Sequence, residues 1–150
     1  TIAIYIIELI HKTISEPEAN PELFEFFEYA FLYIDNNDES VLANYPIVFT
    51  LQLAHHLGFG IHNTYSVTNT MLDLQHGQFC ARNEVNSLSF IDGNQAMHLS
   101  FFANGYPELQ QALNQTARKE LLAICIQYLR LHIPHLSELK SVDVLHEILS

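Results

Sequence analysis

The sequence predicts a mainly α fold, a helical bundle-like domain with a short β-like insertion in its middle. Three observations predict it. Apolar residues recur at helical spacing along several segments, capping or breaking residues bound those segments, and the period changes once, between Ile61 and Ile91. A chain of 150 residues with 49% hydrophobic and 15% charged content lies in the size range where one core closes. Residues 1–150 therefore read as a single domain and not as a disordered tail.

The first helix is expected to bury a stripe of Ala3, Ile6, Ile7, Ile10 and Ile14 and to stop before Ser15-Glu16-Pro17. Asn20-Pro21-Glu22 is a helix start: Asn accepts from open backbone donors, Pro fits the first turn, and the acid suits the positive end of the dipole. The second helix should run to about Ile34 with Leu23, Phe24, Phe27, Ala30, Phe31 and Ile34 inward, while Glu22, Glu25 and Glu28 line another side. Asn36-Asn37-Asp38 supplies a loop. A third helix carries Ile47, Leu51, Ala54 and Leu57, with His55 and His56 in its last turn and Gly58 as its left-handed terminator. Pro46 either starts this helix or kinks a longer one that begins near Ser40.

Met71, Leu72 and Leu74, the polar run Gln75-His76-Gly77-Gln78, and then Phe79 suggest a small hairpin or a short extended excursion. Helical pattern returns from Gln95 to Phe102 and breaks near Gly105-Tyr106-Pro107. It resumes where Leu121, Leu122, Cys125, Tyr128 and Leu129 share one face, up to Pro134. Ser141 can cap a last helix holding Val144, Leu145, Ile148 and Leu149.

The net charge of −11 argues against strong sequence-independent nucleic-acid binding, which depends on Lys and Arg neutralising phosphates. The charge is uneven. Nine of the seventeen acids fall between Glu8 and Glu39, whereas four of the six basic residues, Arg118, Lys119, Arg130 and Lys140, lie in the C-terminal third. The apolar opening carries Glu8, lacks a basic leader and is too short to span a bilayer, so neither a signal peptide nor a membrane span is expected. With no initiator Met and a helix under way at Ile2, a segment upstream is expected. Cys80 and Cys125 form no close-spaced framework, which favours reduced thiols in the cytosol.

Chemistry-bearing clusters are few. His55, His56, His62, His76, Cys80 and His98 have no spacing that selects a metal site, and none is expected. The Glu22, Glu25, Glu28 row reads as a solvated face, since no electrophile accompanies it. Cys125 sits on an apolar stripe and reads as a small core residue, not a nucleophile. Gly58-Phe59-Gly60 follows a helix instead of opening one, so it is no phosphate loop. Arg130, His132, His135 and Lys140 gather around the Pro134 turn and could frame an apolar groove lined by Leu129, Ile133, Leu136 and Leu139. Such a groove suits an acidic, aromatic peptide, held by apolar anchors and oriented by basic rim residues. The same cations could equally do no more than offset a helix dipole. The rival for the whole chain is an unrelated helical ligand-sensing or interaction domain, whose ten Phe and seven Tyr would line a small-molecule pocket.

Three stretches carry a family resemblance: Tyr-Ile-Ile-Glu-Leu-Ile from Tyr5 followed by Asn20-Pro21-Glu22-Leu23-Phe24, then Leu51 to Gly58, then Leu139-Lys140-Ser141 leading to Val144-Leu145. In this order and spacing the chain resembles the C-terminal domain of the bacterial DNA-repair and recombination mediator RecO. The resemblance implies a missing N-terminal OB-fold, through which single-stranded DNA would mainly be bound. It also implies a non-enzymatic role in helping load RecA and in annealing strands, with the single-stranded DNA-binding protein's acidic C-terminal tail and RecR as partners. A cytoplasmic, nucleoid-associated location and no cofactor go with it. Many members carry two C-x-x-C pairs around the insertion. Here Cys80 stands about where the second pair would open, Asn83 takes its partner's place, and the pair near Asn63 to Ser66 is missing, which implies a zinc-free branch in which packing replaces the metal.

Overall fold

Helix α4 (Tyr45–His56) is apolar on nearly every side, and a helix of that kind has to be surrounded. The computed structural model, which describes residues 1–14, 20–105 and 113–148, surrounds it. Around α4 pack α1 (Ile2–Thr13), α2 (Pro21–Asp35), the short α3 (Glu39–Leu42), α5 (Gly93–Ala103) and α6 (Gln115–His132), while α7 (Ser141–Ile148) lies against α1. Pro46 starts α4 and does not kink a longer helix, because α3 ends at Leu42. Residues of all seven described helices join one buried cluster. The stop at Ser15-Glu16-Pro17, the break at Tyr106-Pro107 and the terminal Leu149 lie outside the described residues.

The buried stripe of α1 is rotated from the expected one. It consists of Ile2, Tyr5, Ile6, Leu9 and Thr13, whereas Ile7 is exposed and Ala3 and Ile10 are only partly covered. An almost wholly apolar helix offers two acceptable faces, and a polar contact accompanies the face that is buried. The Tyr5 hydroxyl reaches Thr50 Oγ1 at 2.7 Å, and Thr50 donates in turn to the Pro46 carbonyl at 2.6 Å. In α2, Asn20 caps as expected, its side chain accepting from Leu23 N at 3.1 Å. Phe26 and Ala30 are the buried residues there, while Phe24 points outward. Phe26 earns its place by stacking on Phe49 at 5.1 Å and on His56 at 4.3 Å.

The insertion is the expected hairpin with one strand added. Strands β1 (Met71–Asp73), β2 (Gln78–Cys80) and β3 (Phe90–Ile91) form an antiparallel sheet in the order β2-β1-β3, with Leu72 opposite both Phe79 and Ile91. Buried Asp73 organises the turn, accepting from Gln75 N, His76 N and Ser87 Oγ and facing His76 Nδ1 at 2.8 Å. Burial alone would raise its pKa, but the bonds from His76 and Ser87 bring it below the usual value. Gly77 takes φ +64 in this turn, and a Cβ there would collide with the Tyr128 hydroxyl of α6.

Candidate partner-binding site

Helix α6 buries Leu121, Leu122, Cys125, Tyr128 and Leu129, the face read from the sequence. Past its end, Ile133, Leu136 and Leu139 are buried too. All four apolar residues assigned to a groove, with Leu129, are turned into the shared core, so they brace the turn from inside. The cations separate from them. Arg130, His135 and Lys140 are exposed, whereas His132 folds inward, its Nε2 3.1 Å from the Leu74 carbonyl and its ring stacked 5.1 Å from Phe59. Leu131, next to Arg130, is the apolar side chain left at the surface there.

What fixes this end was not read from the sequence. Glu8 on α1 accepts from Lys140 N at 2.7 Å, from Ser141 N at 2.8 Å and from the Ser141 hydroxyl, and Lys12 pairs with it at 3.1 Å. Lys12 also donates to the Glu138 carbonyl. Ser141 is thus the first residue of α7 and a donor to Glu8, not the side-chain cap expected of it, and the carboxylate takes that role at the helix's positive end. Partial burial works against the charge, but the bonds from Ser141, Lys140 and Lys12 outweigh it and hold the Glu8 pKa down at about 2.

Around Asn63 and Thr64, in the stretch that lacks the cysteine pair, side-chain hydrogen bonds tie the loop down. Asn63 Nδ2 donates to the Ser100 carbonyl at 2.9 Å and to Asn104 Oδ1 at 3.1 Å, and Ser100 Oγ donates back to Asn63 Oδ1 at 2.9 Å. Thr64 Oγ1 donates to the Phe79 carbonyl at 2.8 Å, tying this loop to β2. Cys80 is buried on β2 with its thiol pKa pushed up by burial and by Asp73, while Asn83 lies exposed in a 3-10 turn. Among the described residues no three His, Cys, Asp or Glu side chains come together as a metal-holding group. Burial likewise pushes the Cys125 thiol up, which leaves it a poor nucleophile.

The row of carboxylates on α2 does not face one body of solvent. Glu22 and Glu25 border an open cleft of about 590 Å³ with Gln52, His55, His56 and Asn104. Glu28 instead edges a groove of about 660 Å³ between α1 and α2. His56 is driven toward its neutral form by partial burial and by His55, against the pull of Glu22.

Comparison with known proteins gives this arrangement a context. The family described as "Recombination protein O C terminal" matches residues 1–142. The chain is 31% identical over 155 residues to a protein named DNA repair protein RecO of Flavobacterium psychrophilum, covering 100% of this chain and 61% of that one. It is 28% identical over 155 residues to the protein of that name from Christiangramia forsetii (98% and 60% covered) and 29% over 149 residues to that from Bacteroides fragilis (98% and 61%). The chain spans about three fifths of the length of these curated relatives. No solved structure matches it.

Proposed function

Because the chain belongs to the Recombination protein O C-terminal family, we propose that it is the helical part of a bacterial recombination mediator, acting in DNA repair by holding other macromolecules and not by catalysis. In this reading the longer polypeptide helps load RecA on single-stranded DNA and anneals complementary strands. The present domain contacts the acidic C-terminal tail of the single-stranded DNA-binding protein and RecR, and single-stranded DNA is bound mainly outside it. The work would be done in the bacterial cytoplasm, at the nucleoid. No described helix is long and apolar enough to cross a membrane. The observation that carries the reading is the family match over residues 1–142, which takes in α1 to α6 and only the first two residues of α7.

For the tail, the residues proposed are Arg130, exposed in the last turn of α6, and Lys140, exposed just before α7, while Leu129, Ile133, Leu136 and Leu139 of the same stretch are buried. Two exposed cations carried by a segment anchored in the core suit an anionic peptide: the charges steer and orient it. The test is calorimetry of the tail peptide against the full-length polypeptide and its Arg130→Glu/Lys140→Glu variant. The dissociation constant should rise at least about tenfold while the thermal melt stays nearly unchanged. An unaltered constant removes the site assignment. Strand annealing by the full-length polypeptide, with and without the single-stranded DNA-binding protein, tests the wider role, and no annealing in either arm would count against it.

A further inference from the structure

Ile7, Ile10, Phe24, Phe27, Phe31 and Leu32 line the groove between α1 and α2. Three of these side chains stand largely in solvent: Ile7 is 55% exposed, Phe24 69% and Leu32 54%. Ile4, one helical turn before Ile7, extends the stripe and is 61% exposed. Scattered exposed apolar residues are ordinary, but a contiguous run of them in a concave surface marks a contact site. The walls are two helices, and from Phe24 to Asp35 the groove runs for eleven residues, roughly 16 Å at the helical rise, enough for about three turns of a partner helix.

The rim decides what fits. Glu28 and Asp35 are exposed along α2, with His11 on the α1 side. Beyond them Asp38 and Glu39 are exposed as well. Lys12, the only Lys or Arg of the first third, is directed to Glu8 and the Glu138 carbonyl. An acidic peptide or a nucleic acid is repelled by such a rim, and a second copy of this chain would bring the same carboxylates together. We propose that the α1–α2 groove docks an amphipathic helix of a protein partner whose apolar face fills the groove and whose flanking residues are Lys or Arg. This surface is separate from the Arg130–Lys140 turn and takes a partner of opposite charge.

The test uses the full-length polypeptide and a fluorescent 18-residue peptide with Leu at i, i+3, i+4 and i+7 spacing and Lys elsewhere, beside a matched peptide with Glu for Lys. The Lys peptide should bind at least tenfold more tightly than the Glu peptide. The Phe24→Ser/Leu32→Ser variant, which keeps every charge, should weaken it at least tenfold with the melt unchanged. Glu28→Gln/Asp35→Asn should weaken it about threefold and flatten its salt dependence. Arg130→Glu/Lys140→Glu should leave it unchanged, so failure here and failure of the tail site are distinguishable. The proposal is overturned by equal binding of the two peptides or by a constant indifferent to Phe24 and Leu32. No binding at all also overturns it, since the groove would then be covered within the polypeptide or by a second copy.

Discussion

The α1–α2 face and the α6–α7 turn are opposites built from similar materials. On α1 and α2, Ile4, Ile7, Phe24 and Leu32 stand in the open among carboxylates, whereas at the α6–α7 turn Leu129, Ile133, Leu136 and Leu139 are buried and the cations stand in the open. Both regions are amphipathic. The difference lies in what covers them: the stripe of α6 meets α4, the most enclosed helix, while the outer stripe of α1 and α2 stays largely in solvent. An apolar stripe therefore announces a contact without saying whether the partner is inside the same chain.

The sharpest way to break that contrast is at Leu129, which is fully buried, against Leu131, which is 40% exposed two residues on. Leu129→Ala should cost about 3 kcal/mol, the lost transfer energy plus the cavity left behind. Leu131→Ala should cost no more than about 0.5 kcal/mol. Urea denaturation of both variants measures the gap, and equal midpoints would refute the core placement of Leu129.

Next in size is Glu8, which joins the two regions. Glu8→Gln removes the charge and leaves the Lys140 and Ser141 donors with a weaker acceptor, a loss of about 2 kcal/mol for charge-assisted bonds in a partly exposed site. The pH dependence has a definite sign. The folded-state pKa of about 2 lies below the ordinary 4.5, so the unfolded chain binds the proton more readily. The stabilisation is therefore complete above about 4.5 and is lost as pH falls toward about 2. The wild type should lose its advantage over Glu8→Gln across that window, and a constant difference between them from pH 7 to pH 2 would show that the carboxylate is not the proton acceptor. Gly77→Ala should follow at about 1–2 kcal/mol, from the left-handed backbone together with the approach of Tyr128, with the melting temperature as the readout.

These contrasts also sort what was legible in the sequence. The α6 stripe, the Asn20 cap, the hairpin and the place of Gly58 rest on local spacing and local hydrogen bonds, and all four stand in the structure. The phase of α1 was not legible, because nearly every residue from Ile2 to Ile10 is apolar and a contact 45 residues away, Tyr5 with Thr50, accompanies the buried face. Strand β3 is only Phe90–Ile91, too short to show a period of two. The Glu8 clasp spans 132 and 133 residues of sequence, and no spacing rule reaches that far. At the candidate site the exposure of Arg130 and Lys140 was readable from their type and place. The burial of the four apolar neighbours and the inward turn of His132 depend on Phe59, Leu74 and the rest of the core.

A small effect is also expected at Phe24, and it separates an exposed apolar residue from a buried one on the same helix. Full burial of a Phe side chain is worth about 1.5–3 kcal/mol, but Phe24 is 69% exposed, so folding removes little of its surface from water. Phe24→Ser should therefore change stability by less than about 1 kcal/mol. Phe26→Ala, which empties the stack with Phe49 and His56, should cost about 3 kcal/mol or more. Phe24→Ser should also reduce the fluorescence of an apolar-surface dye such as ANS in the folded protein, because the groove loses its most exposed ring. A stability loss at Phe24 as large as that at Phe26 would mean that the groove is closed within the chain, and the contrast between the two regions would disappear.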